Sequence, residues 1–124
     1  MARKAVKKID SVGLNYKGEE YRLVFNLNVM EEIQEEYGSI EAWGNLTDKA
    51  TEPNAKAVIF GLMCMLNEGI DIYNEEHADD ENFKERKLLS RKQVGRMLTE
   101  IGLDEAAQKL NKTVIDSTKS DEKN

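Results

Sequence analysis

The sequence predicts a small, mainly α-helical single domain: a helical bundle with an N-terminal β-hairpin. Three observations carry that reading. Between Asn26 and Val114 the apolar residues recur mostly at three- and four-residue steps, the period of helices with one buried face. Only VGLNYKGEEYRLVF alternates apolar and polar residues around a turn, as a hairpin does. And 124 residues, 40% hydrophobic and 34% charged, suffice for one core and are too few for two.

The elements follow in order. Met1 to Lys8 carries Arg3, Lys4, Lys7 and Lys8 without an acid, and residues 1–10 are expected to form a basic arm outside the domain of residues 11–115. The hairpin falls at about residues 12–25. Leu14 and Tyr16 precede the Lys17-Gly18 turn, and Tyr21, Leu23 and Phe25 follow it on one face, although Lys-Gly is a weaker turn signal than Asn-Gly. A helix then opens near Asn26 or Asn28, where Asn28 and Glu31 have capping-box spacing, and closes at Gly38. Val29, Ile33 and Tyr37 form its inner stripe; Glu31, Glu32, Glu35 and Glu36 form its outer one. Ser39 caps a short helix with Ile40, Trp43 and Leu46 turned inward.

The run AVIFGLMCML, Ala57 to Leu66, is the most apolar in the chain. It is about half of the ~20 residues that a bilayer-spanning helix requires, so it reads as the central helix of the bundle, beginning at Thr51-Glu52-Pro53 with Pro in the first turn. Ile59, Leu62, Met63, Leu66, Ile70 and Tyr73 share one face, and Val58, Met65 and Ile72 widen it. Gly61 and Gly69 each cost about 1 kcal/mol of helix propensity, which points to close approach by a neighbour. EEHADDENFKER has no periodicity and reads as an exposed loop. In LLSRKQVGRMLTEIG, Ser90 and Gln93 have capping-box spacing, Leu89 and Val94 staple spacing, and Val94, Met97, Leu98 and Ile101 one face before Gly102. Asp104 opens a last helix with a narrow stripe of Ala106, Ala107, Leu110 and Val114, and residues 116–124 are expected to be a polar, disordered tail.

Composition and motifs argue against chemistry. A net charge of −6 and a pI near 4.9 disfavour nucleic acid and anionic lipid as general partners. Cys64, the single cysteine, lies among methionines without a basic neighbour in sequence to activate it. His77 stands among Glu75, Glu76, Asp79, Asp80 and Glu81, but the EF-hand framework and the soft ligands of a zinc site are missing. No phosphate-cradling glycine motif is present. The expectation is a binding protein, not an enzyme, with no cofactor and no metal site. Without an export signal at the N-terminus, the cytoplasm is its expected compartment.

One nucleic-acid reading competes. RKQVGRMLTEIGLDEAAQKLNK has the outline of a helix-turn-helix, and Arg86, Lys87, Arg91, Lys92 and Arg96 give its first half a basic face. Asp104 and Glu105 in the first turn of the would-be recognition helix repel phosphate and lack donors for guanine. A small DNA-binding regulator is therefore the alternative, and no nucleic acid partner is expected.

EEYRLVFNLNVMEEIQEEYGSIEAWGNL, followed by GLMCMLNEGIDIYNEEH and LSRKQVGRMLTEIGLDEA, resembles the tail assembly chaperones of long-tailed (siphovirus-type) phages and prophages of Gram-positive bacteria. The likeness runs from about Lys17 to Leu110 and rests on the order of apolar and capping residues; the family has no catalytic residues to carry over. It implies a protein of the bacterial host's cytoplasm that binds the tape-measure protein, keeps its long helices soluble, helps recruit tail-tube subunits, and is absent from the mature virion. It also implies, in many members, a longer frameshifted form, which a protein sequence does not reveal. A structural tail protein, such as a head–tail joining or terminator subunit, is a third reading, disfavoured by the low β content.

The residues expected to meet a partner are the acidic face Glu31, Glu32, Glu35 and Glu36, suited to lysine- and arginine-rich helices, and the stripe Ala106, Ala107, Leu110 and Val114. Met30, Met63, Met65 and Met97 are further candidates for an adaptable apolar surface.

Overall fold

The computed structural model describes residues 12–48 and 52–122, and it is a mainly helical domain with one hairpin. Strand β1 (Val12–Tyr16) pairs antiparallel with β2 (Glu19–Leu23), with Leu14 opposite Tyr21 and Tyr16 opposite Glu19. The two turn residues, Lys17 (φ 51°) and Gly18 (φ 79°), both lie in the left-handed region, the geometry of a type I′ turn whose twist matches that of the strands. Leu14 and Leu23 are buried on the hairpin's inner face, with Tyr16 and Tyr21 packed beside them.

Helix α1 (Leu27–Tyr37) is capped by Asn26, whose Oδ1 accepts from the Val29 backbone N–H at 3.2 Å. Asn28 lies inside the helix, and its amide donates to Glu68 instead. The expected Asn28/Glu31 capping box therefore does not form, because Asn26 already satisfies the helix start. Gly38 ends α1 at φ 88°. Helix α2 (Ile40–Thr47) starts at Ser39, which accepts from Ala42, and buries Trp43; the indole N–H donates to the Ala57 carbonyl at 3.0 Å.

Helix α3 (Ala55–Glu76) is the axis of the domain and packs against β2, α1, α2, and the two later helices, α4 (Arg91–Ile101) and α5 (Leu103–Glu122). It starts later than the sequence suggests. Asn54 is the N-cap, accepting from Ala57 at 2.9 Å, and Pro53 is buried just ahead of it rather than in the first turn. Its most buried residues are Ala57, Val58, Gly61, Leu62, Met65, Leu66, Gly69 and Ile70, while Ile59, Met63, Ile72 and Tyr73 are half-buried. The inner face is thus rotated toward the small residues, where neighbours approach most closely. A Cβ on Gly61 would lie 2.5 Å from the Trp43 ring, and one on Gly69 would lie 2.5 Å from the Arg22 carbonyl oxygen. Both expected close approaches are present.

The Ser90/Gln93 capping box of α4 forms in both directions, with N–H to oxygen distances of 3.1 and 2.8 Å. Val94, Met97 and Leu98 are buried. Gly102 alone (φ 103°) separates α4 from α5. The expected tail from residue 116 is instead helical as far as Glu122: Lys112 pairs with Asp116 at 3.2 Å, and the Ser117 hydroxyl donates to the Phe25 carbonyl at 3.3 Å. The expected arm, residues 1–10, lies outside the described residues.

The expected exposed loop, residues 75–86, is irregular and mostly exposed from His77 on, with Glu75 and Glu76 still in α3. What the sequence did not suggest is that its far end, through Leu89, is tied to α3 as a strap. Asn74 donates to the Arg86 carbonyl and accepts from the Arg86 N–H, both at 3.0 Å. Asn67 does the same for Leu89, at 3.0 and 2.8 Å. Seven helical residues rise about 10.5 Å and three extended residues span about 10 Å, so the two asparagines meet two peptide groups of an antiparallel strap. Each amide gives the strap the donor and acceptor that a neighbouring strand would give. Phe83, His77 and Tyr73 stack at one end of the strap, and the Arg86 guanidinium covers the Tyr73 ring at 4.3 Å.

Candidate interaction groove

The strap leaves a groove of about 370 Å³ between α1 and α3. Its wall carries five carboxylates: Glu32, Glu35 and Glu36 from α1, and Glu68 and Asp71 from α3. Its floor is Phe60, Met63 and Cys64, and the exposed Leu88 of the strap forms the opposite rim. No lysine or arginine is among its lining residues. The helical period explains the wall, because Glu32, Glu35 and Glu36 stand at three- and four-residue spacing along one flank of α1, with Glu32 three residues from the buried Val29 and Glu36 three from the buried Ile33.

Glu68 is held in place. Asn26 donates to its Oε2 at 2.8 Å and Asn28 at 3.0 Å, which ties the start of α1 to the middle of α3. At the floor, burial pushes the Cys64 thiol well above its ordinary range, with a hydrogen bond to Glu32 and the charges of Glu32 and Glu36 acting in the same direction. A thiol kept protonated is a poor nucleophile, so the groove presents Cys64 as a small apolar contact. Tyr37 packs edge-on against Phe60, with centroids 5.8 Å apart. Its hydroxyl is buried with no hydrogen-bond partner among the described residues, and burial, reinforced by Glu36 and opposed by Arg91, raises its pKa.

The structure separates the expected partner-binding residues. Glu32, Glu35 and Glu36 line the groove, and Glu31 is exposed outside it. Ala106, Ala107 and Leu110 are instead buried in the core of this domain and cannot also face a partner; the narrow stripe is used up where α5 packs against α3 and α4. Val114 is half-buried against the same core. Of the methionines, Met65 and Met97 are core residues, Met63 lines the groove and Met30 is half-buried. Sequence reasoning missed Glu68, Asp71, Phe60 and Leu88. The signal for the first two was there: acids three residues apart interrupt the face of an otherwise apolar central helix.

Other candidate sites assemble less. Among the described residues, no three His, Cys, Asp or Glu side chains come together as a metal would require; His77 bonds Asp80 at 2.7 Å and stacks on Tyr73. A second depression, of about 410 Å³, lies between the hairpin and α3 beside Arg86. That guanidinium is already engaged, by Tyr73 and by Glu19 at 3.1 Å. Its engagement also removes Arg86 from the basic face of the helix-turn-helix reading, while Asp104 and Glu105 stand exposed at the start of α5.

None of the described helices is long and apolar enough to cross a membrane. Comparison with family models, curated proteins and solved structures finds no match to this chain.

Proposed function

We propose that this chain is a tail assembly chaperone that receives amphipathic, lysine- and arginine-bearing helices of a tape-measure protein in the α1/α3 groove. It helps bring tail-tube subunits to that protein in the host cytoplasm and leaves before the particle is complete. The observation that carries this reading is the groove itself, a carboxylate wall over an apolar floor. Its wall suits the basic side of such a helix and its floor the apolar side. Phe60 supplies rigid contact area, and Met63 supplies a flexible, polarizable surface that repacks around varied partners. The carboxylates speed encounter and fix register more than they add affinity. The order of hairpin, capped helices and central apolar helix, on which the resemblance rests, supports the same reading.

The test is co-expression with the longest helical protein encoded nearby, followed by affinity capture. Capture by the wild type at low salt, and its loss in E32K/E35K/E36K with the fold intact by circular dichroism, is the expected result. Equal capture by both proteins would reject the groove as the contact, and an insoluble, uncaptured partner in both cases would reject the chaperone role.

A further inference from the structure

We propose that residues 1–9 of this chain seat in its own α1/α3 groove as a displaceable occupant, so that a client binds only by competing with them. The inference rests on the groove reading above. Met1, Ala2, Ala5, Val6 and Ile9 alternate in pairs with Arg3-Lys4 and Lys7-Lys8. On a helix, that spacing puts the apolar residues on one side and four cations on the other. The groove offers the complement: the floor of Phe60 and Met63, and the wall of Glu32, Glu35, Glu36, Glu68 and Asp71.

The attachment point leaves the groove within reach. The described chain begins at Val12, which pairs with Leu23; the adjoining Val24 donates to the carbonyl of Met65, next to Cys64 in the floor. The hairpin meets α3 on the side of Gly69, where the Arg22 carbonyl sits, so a segment leaving Val12 reaches the floor by passing around one helix, about 10–12 Å across. Nine residues cover about 13 Å as a helix and about 30 Å extended. Short tethers give millimolar effective concentrations, so even an intrinsic Kd on the order of 100 μM would keep the groove mostly filled and weaken an external ligand about tenfold.

Full-length wild type and the full-length variant R3Q/K4Q/K7Q/K8Q are compared by amide NMR and by titration with a synthetic peptide of residues 1–10. The expected result is that neutralisation moves the resonances of Glu32, Glu36, Cys64 and Glu68 equally at every protein concentration, and that the peptide binds the variant about tenfold more tightly than wild type. Unmoved resonances with equal peptide affinity for both proteins would overturn self-occupancy while leaving the groove as a site for basic segments. Shifts that grow with protein concentration would assign the segment to a second copy and overturn occupancy within one chain. A peptide that binds neither protein would remove both this inference and the basic-helix reading of the groove.

Discussion

Replacing Gly61 by alanine tests the tightest side-chain packing in the domain. The new Cβ would stand 2.5 Å from Cζ2 and 3.1 Å from Cε2 of Trp43, and 3.0 Å from Cδ1 of Leu110. To reach an ordinary 3.4 Å contact the indole must retreat by about 0.9 Å. Trp43 is fully buried, and its N–H is tied to the Ala57 carbonyl at 3.0 Å, so the retreat works against both packing and a hydrogen bond. Overpacking costs about 1–3 kcal/mol, and weakening the indole bond adds about 1 kcal/mol. The better helix propensity of alanine returns about 1 kcal/mol. The balance is a loss of about 2 kcal/mol, or a fall of roughly 8 °C in Tm for a domain of this size. Urea unfolding followed by the fluorescence of Trp43, the single tryptophan, measures it directly. Gly95→Ala is the control. Its Cβ would meet only Ile59 Cδ1, at 3.9 Å, so it should gain about 0.5–1 kcal/mol. Stability of Gly61→Ala within about 0.5 kcal/mol of wild type, the level of an ordinary surface substitution, would refute the claim that Gly61 exists to admit Trp43.

Three further outcomes are expected. Asn67→Ala or Asn74→Ala removes two backbone bonds to the strap and should cost about 1–2 kcal/mol, with faster tryptic cleavage at Arg86 and Lys87 read by mass spectrometry; unchanged cleavage would mean that the asparagines do not hold the strap. Lys17→Asn should stabilise the hairpin by about 0.5–1 kcal/mol in thermal melts, because position 17 needs a positive φ that asparagine accepts more readily. The Cys64 thiol, protonated more firmly in the folded chain than its ordinary value of 9.0, releases its proton more readily when unfolded. Stability should therefore fall as pH rises above about 9, by up to about 1.4 kcal/mol per pH unit. Cys64→Ala should flatten that slope in urea titrations at pH 8 to 10, and an identical slope would exclude the thiol as its source.

The sequence by itself determined what depends on three or four neighbouring residues. Ser39, Ser90 with Gln93, Gly38 and Gly102 mark helix ends because a cap satisfies backbone groups within one turn. Period-two spacing around Lys17-Gly18 set the hairpin, and the short apolar run set the central helix. Where two caps competed locally, at Asn26 against Asn28, spacing did not choose between them, and the expected start of the central helix, with Pro53 in its first turn, falls too early because Asn54 is the cap. Tertiary structure decided what rests on residues far apart in the chain. The groove depends on Asn26 reaching Glu68 across 42 positions, and the strap on Asn67 reaching Leu89 across 22. It also decided the fate of Ala106, Ala107 and Leu110. A narrow apolar stripe fits a partner or its own domain equally well in sequence, and only the close approach of α5 to Gly61 turns it inward. Side-chain amides and carboxylates carry no periodic signature of their partners, because a hydrogen bond is specified by distance in space and not along the chain.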